Sequence, residues 1–252
     1  MALPYQLKSH SAAAGVAIAP TDMQDSVGTR PSAYTHKSSP YSSHTRLVEA
    51  VPADGKGSVI DVGGGEGYLS RLLSERGRRV VCLAQPGSVA AGLRDQVDVI
   101  EADLNRERPH LSERFSIALC GDVLEHLVDP EAALVWLREA LDSDGRLVAS
   151  LPNSAHWYVR LNYLVGRIPE EDRGLFDRTH LHFYAWRNWE NLLHRSGFVV
   201  ERITPTVIPF DIVLPGLAGG PIVRALEAAN FLLARLCKTF WAFQFVVVAR
   251  PR

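Results

Sequence analysis

Three short clusters in this chain combine residue types that can do chemistry. The first is Asp61-Val-Gly-Gly-Gly-Glu-Gly67, an acid followed by glycines at positions 63, 65 and 67. Glycines let a backbone approach a ligand closely and take up positive φ. A helix starting behind such a loop aims its free N–H groups at a bound anion. The second cluster is Asp122-Val-Leu-Glu125-His126, in which two carboxylates flank the approach to an imidazole. Imidazole titrates near neutral pH, so His126 is the candidate general base. Joined by His156, the set Asp122, Glu125, His126 could instead hold a divalent cation. Against that stands a plainer arrangement, in which Asp122 serves a bound cofactor while Glu125 and His126 make local hydrogen bonds. The third cluster is Asp177-Arg-Thr-His180, with His182 and Phe183 just beyond it. Any one of these histidines, taken alone, is more often a packed structural residue than a catalyst.

These residues need a scaffold, and the hydrophobic pattern describes one. Apolar runs at Ser58–Val62, Val80–Leu83, Val97–Glu101, Phe115–Gly121, Arg146–Leu151, Phe198–Ile203 and Phe243–Ala249 predict seven strands. Helices are expected over Ser43–Val51, Gly67–Arg76, Pro86–Arg94, Asp129–Leu141 and Trp186–Ser196. Asp129 fits an N-cap and Pro130 the first helical position, while Gly197 supplies a left-handed stop. Strand–helix alternation of this kind implies an α/β fold, a doubly wound and mainly parallel seven-stranded sheet. In such sheets ligands bind at the carboxyl ends of the strands, which is where all three clusters fall.

Two stretches interrupt the alternation. Residues 152–185 are expected to form a lid over an acceptor pocket, covered by Trp157-Tyr-Val-Arg-Leu-Asn-Tyr163. Residues 207–240 form a helical insert whose helix, Pro221–Thr239, carries Ile222, Leu226, Leu233, Leu236 and Phe240 on one apolar face. That face is expected to pack on its own domain, ahead of a homodimer contact or a membrane surface. Residues 1–38, rich in Ala, Ser, Thr and Pro, read as a disordered tail before a domain over 39–252.

Composition narrows the partners. A formal net charge of −1 without basic runs argues against broad nucleic-acid binding. Cys82, Cys120 and Cys237 form no C-x-x-C pair, and the first two sit in apolar runs, as expected for a reducing compartment. No apolar run approaches the ~18 residues of a membrane span. With no cationic leader and apolar stretch at the start, the expected location is the cytoplasm.

Spacing separates the two cofactor classes that use such a glycine loop. A dinucleotide fingerprint is G-x-G-x-x-G, and with Gly63 and Gly65 as its first glycines the third would fall at Tyr68. That counts against a nicotinamide-dependent oxidoreductase. The pattern acid-x-G-x-G-x-G instead resembles motif I of class I S-adenosylmethionine (SAM)-dependent methyltransferases. Glu101-Ala-Asp103-Leu104, Asp122-Val-Leu-Glu-His-Leu-Val-Asp-Pro130 and Leu151-Pro-Asn153 resemble further segments of the family, and the second is similar to small-molecule enzymes of the ubiquinone O-methyltransferase type. Asp177-Arg-Thr-His180 resembles a lid segment of one bacterial subgroup.

The resemblance implies O- or N-methylation of a small-molecule acceptor. It gives Asp61, Gly63, Gly65 and Gly67 to the methionine part of SAM, Asp103 with Leu104 to adenine, and Asp122 to the cofactor side of the pocket. One position departs from the family. Strand two ends Cys82-Leu-Ala-Gln85, where the family has an acid for the ribose hydroxyls. Gln85 is then the ribose candidate, and a neutral amide binds roughly half as strongly as a charge-assisted partner. The missing acid also motivates a rival reading, a non-catalytic SAM-fold binding protein.

Overall fold

The computed structural model describes residues 39–53, 55–208, 210, 216 and 220–252. The segment read as a tail, 1–38, and parts of the insert lie outside these residues. The strands are β1 (Val59–Val62), β2 (Val80–Ala84), β3 (Asp98–Glu101), β4 (Phe115–Cys120), β5 (Leu141–Pro152), β6 (Phe198–Pro205) and β7 (Gln244–Pro251). They form one sheet in the order β3-β2-β1-β4-β5-β7-β6. The first five run parallel, and β7 enters antiparallel between β5 and β6. The described helices are α1 (Ser43–Ala50), α2 (Tyr68–Glu75), α3 (Pro130–Ala140), α4 (Trp157–Leu164), α5 (Trp186–Arg195), α6 (Pro221–Leu236) and α7 (Lys238–Trp241).

Alternation along the central strands divides the core in two. Val80, Cys82 and Ala84 point toward α1 and α2, where they meet Leu47, Leu69 and Leu73. Val81 and Leu83 point the other way, into a layer containing Leu134 and Leu137 of α3 and Trp189 of α5. Both faces of the central strands are therefore buried, as a parallel sheet covered by helices requires.

Local chemistry sets the element ends. The Asp129 side chain accepts from the Ala132 N–H at 2.9 Å, with Pro130 in the first turn, so α3 starts where its sequence says. Gly197, at φ 83°, ends α5.

Two expectations need correction. Pro86–Arg94 is not an α-helix: Gly87 and Gly92 take positive φ, at 78° and 75°, and only a 3-10 turn, Leu93–Asp95, forms. The helix expected over Pro221–Thr239 breaks at Cys237, and its apolar stripe does not pack on the domain. The buried positions of α6 are Val223, Glu227 and Ala234, while Ile222, Leu226, Leu233 and Leu236 are exposed.

Candidate active site at the carboxyl edge of the sheet

β1 delivers Asp61 to the base of the glycine loop. Its carboxyl is 1% exposed and accepts from the hydroxyl of Ser70, in the first turn of α2, at 2.6 Å. The acid thus ties the first turn of α2 to the end of β1. Burial raises its pKa from 3.8 to about 6, and the Ser70 contacts offset only part of that. Gly63, Gly65 and Gly67 all take positive φ, at 68°, 53° and 84°.

The three glycines answer to different constraints. A Cβ on Gly63 would lie 2.5 Å from Val123, and one on Gly67 2.2 Å from Leu93, so those two are tied to packing as well as conformation. A Cβ on Gly65 would meet nothing closer than 3.9 Å. The loop therefore presents bare backbone to open space at Gly65, a cradle that a side chain would fill. This fits the methionine end of SAM.

The adjoining strand ends complete the edge. Ala84 is buried in the α2-side core, so the position lacking the family acid has no side chain reaching outward; Gln85, the next residue, is exposed. Asp103 is partly exposed after β3, with one oxygen accepting from the Asn105 N–H at 3.0 Å and the other 3.2 Å from Arg106. Leu104 beside it is buried.

Asp122 follows β4 at φ 55°, the sole non-glycine with positive φ among the described residues. Such a conformation costs of order 1–3 kcal/mol, and three contacts hold it. The Asp122 N–H donates to Ser150 Oγ at 2.8 Å, the Ser150 hydroxyl donates back to Asp122 Oδ1, and Gln244 Nε2 donates to the same oxygen at 2.9 Å. Ser150 and Gln244 were not singled out in the sequence; the only signal was a polar residue inside an otherwise apolar strand end.

The turn Leu124–His126 then meets the segment around His180. The Leu181 N–H donates to the Glu125 carbonyl at 2.8 Å, and His182 Nε2 donates to the Leu127 carbonyl at 2.8 Å. His180 stacks edge-on to His126 with ring centroids 4.7 Å apart, and its Nε2 is 3.9 Å from Glu125 Oε1. Burial first, then the neighbouring His126, lowers the His180 pKa to about 4, so this ring is neutral at pH 7.

Proton counting assigns the His126 tautomer. The Thr179 hydroxyl donates its one proton to Asp177 Oδ1 at 2.6 Å. His126 Nδ1 lies 3.1 Å from that hydroxyl oxygen and 3.2 Å from the Thr179 carbonyl, both of which must then accept. Nδ1 therefore carries the hydrogen, and the Nε2 lone pair is left for a proton or a cation.

His156 stands apart. It is fully buried, caps α4 by accepting from the Tyr158 N–H at 3.3 Å, and is held neutral by burial, with a pKa near 4. Among the described residues, the side chains that converge closely enough to share a cation are Glu125, His126 and His180, whose ligand atoms lie within 4.8 Å of one another. Of the four residues first considered, this set keeps Glu125 and His126 and takes in His180 in place of Asp122 and His156.

The antiparallel β7 between β5 and β6, with an acid–glycine loop after β1, distinguishes this sheet from the dinucleotide-binding order 3-2-1-4-5-6. Fold and loop together define the class I SAM-dependent methyltransferases. The chain belongs to the methyltransferase-domain family, whose model matches residues 35–203.

The tRNA 5-carboxymethoxyuridine methyltransferase of Escherichia coli (strain K12) is 28% identical over 126 residues, 46% of this chain and 48% of that protein. The chain thus spans about half the length of the curated relatives it matches. A SAM-dependent methyltransferase of Thermotoga maritima, described as a possible histamine N-methyltransferase, shares the fold at a TM-score of 0.57 and 14% identity, over 83% of this chain and 88% of that one. The 1,6-didemethyltoxoflavin-N1-methyltransferase of Burkholderia thailandensis, solved with its namesake ligand and S-adenosylhomocysteine, superposes at 0.54 with 15% identity, over 84% of this chain and 79% of that one.

Proposed function

We propose that the chain transfers the methyl group of SAM to an oxygen or nitrogen of a small-molecule acceptor at the carboxyl edge of the sheet, with His126 as general base. The observation carrying the base assignment is the Nδ1–H tautomer fixed by Thr179, which leaves Nε2 as the acceptor lone pair. Bound SAM supplies a methyl on a sulfonium, a leaving group that is already good, so positioning provides much of the acceleration. Asp61 and the backbone of Gly63, Gly65 and Gly67 hold its methionine end. Gln85 takes the ribose, Asp103 the adenine amino group beside Leu104, and Asp122 lines the approach from β4. The acceptor's X–H bond gives its proton to His126 Nε2, its electron pair forms the bond to the methyl carbon, and the sulfur keeps the pair of the broken C–S bond.

The tRNA specificity of the curated relative remains that relative's own. A second reading has its own observation: Glu125, His126 and His180 converge as ligands for a divalent cation that would orient acceptor hydroxyls.

One nitrogen-15 spectrum of the imidazoles, assigned with His126→Ala, tests both. Base catalysis expects His126 as the Nδ1–H tautomer, unchanged by chelator or Mg²⁺, Mn²⁺ or Zn²⁺. An Nε2–H tautomer refutes the base. A metal-induced shift of both His126 and His180, lost in Glu125→Ala, replaces it with the metal reading.

A further inference from the structure

Large exposed hydrophobic side chains are concentrated in two places. Of the fourteen among the described residues, eleven lie in α4 with the loop to Ile168, or in α6 and α7. Leu164 is 83% exposed, Ile168 and Leu236 76% each. The two segments meet: Arg160 of α4 sits over the Phe240 ring of α7 at 5.6 Å, and the Trp157 and Trp241 rings are 6.4 Å apart. α4 begins just past the carboxyl end of β5, so this surface adjoins the edge where the chemistry is placed.

On α6 and α7 the exposed charge has one sign. Between residues 157 and 168 the charged side chains are Arg160 and Arg167, followed by the acids Glu170, Glu171 and Asp172, of which Glu171 accepts from the Tyr158 hydroxyl at 3.0 Å and Asp172 pairs with Arg178 at 2.8 Å; between 220 and 243 they are Arg224, Arg235, Lys238 and Glu227. Glu227 is turned inward, where it accepts from Ser39 Oγ at 2.8 Å. Among the described residues none of the five cations is in an ion pair. On α6 and α7, in a chain of net charge −1, this is a local excess, and it coincides with that part of the apolar patch.

We propose that this face seats the protein on an anionic lipid bilayer. Helices that lie in a membrane interface combine exposed aliphatic side chains with Lys and Arg, and anionic lipids attract the cations while the acyl boundary takes the aliphatics. α6 shows that combination with its sole carboxylate removed from the surface. Homotypic pairing would press the same unneutralised cations together. Nucleic acid would neutralise them but offers the leucines and isoleucines nothing apolar to enter.

The test is flotation of the full chain with vesicles of phosphatidylcholine alone and with phosphatidylglycerol added. The expected result is binding to the phosphatidylglycerol vesicles, weakened by salt and much reduced on phosphatidylcholine alone. Leu164→Glu with Leu236→Glu should weaken it by more than about tenfold while circular dichroism is unchanged, since both side chains are exposed. Absence of binding to anionic vesicles at low salt overturns the proposal. So does a dimer, seen by sedimentation and dissociated by the same substitutions, in a protein that ignores vesicles. Capture of tRNA by the same face without vesicle binding overturns it as well.

Discussion

Replacing Asp61 by asparagine separates what the fold needs at that position from what a bound cofactor needs. The amide is isosteric and its oxygen can still accept from the Ser70 hydroxyl, so the tie to α2 survives. What disappears is a charge held at 1% exposure. The carboxyl's pKa is raised from 3.8 to about 6, with burial the main cause. For a group whose folded pKa lies above its unfolded value, the protonated form is favoured by folding. Its stabilising contribution is complete below about pH 4 and is lost as pH rises through about 6. That interval corresponds to roughly 3 kcal/mol at 1.36 kcal/mol per pH unit.

The amide does not titrate. The stability difference between Asp61→Asn and wild type should therefore shift by about 3 kcal/mol in the variant's favour from below about pH 4 to above about pH 6, then stay flat. His156 and His180, whose pKa values are lowered to about 4 by burial, work in the opposite sense: they destabilise both proteins as pH falls below the ordinary 6.5, and they cancel in the difference. Urea denaturation across that range is the assay. Over the same substitution SAM binding should weaken by about 1.5–3 kcal/mol, the scale of a hydrogen bond to a charged group. A stability difference independent of pH, or one moving against the variant, would refute the argument that the native fold carries Asp61 as a costly buried charge.

Other outcomes follow from single contacts. Ser150→Ala removes the acceptor of the Asp122 N–H and a donor to its carboxylate, and should cost about 1–3 kcal/mol in urea denaturation with the strand core intact. Asp103→Ala should weaken SAM binding by about 1–3 kcal/mol; an unchanged dissociation constant moves the adenine elsewhere. Gln85→Glu should tighten SAM binding, because a carboxylate makes the stronger bond to ribose hydroxyls. The corresponding Ala84→Asp should instead destabilise the fold, because Ala84 is 1% exposed in the core.

Much of the architecture was legible because local rules and the fold agree. Asp129-Pro130 begins α3, Gly197 ends α5, and the seven apolar runs became the seven strands. The helix expected at Pro86–Arg94 failed on two glycines that the pattern contained and its periodicity hid. Direction is not encoded in alternation, so nothing in Gln244–Pro251 announced an antiparallel strand between β5 and β6.

At the site, the glycine loop and the strand-end acids could be read because each is a local motif. The residues that hold Asp122 could not: Ser150 and Gln244 reach it from 28 and 122 residues away in sequence. The convergence of His180 on Glu125, and the Thr179 contact that orients His126, likewise depend on a loop docking that spacing alone does not specify. The inward Glu227 on α6 was equally hidden, since the helical pattern gives a face but not which face meets the domain.

The claim on which the rest depends is that the methyl donor lies on the loop at Gly65. Calorimetric titration of wild type and Gly65→Val with SAM, S-adenosylhomocysteine and NAD tests it directly. Wild type should bind the first two at one site and ignore NAD. Gly65→Val should bind neither while keeping its overall circular dichroism, because the side chain enters open space rather than the core and the strain of a β-branched residue at φ 53° falls on the loop alone. Full-affinity binding by Gly65→Val, or saturable binding of NAD in place of SAM by wild type, would contradict the account.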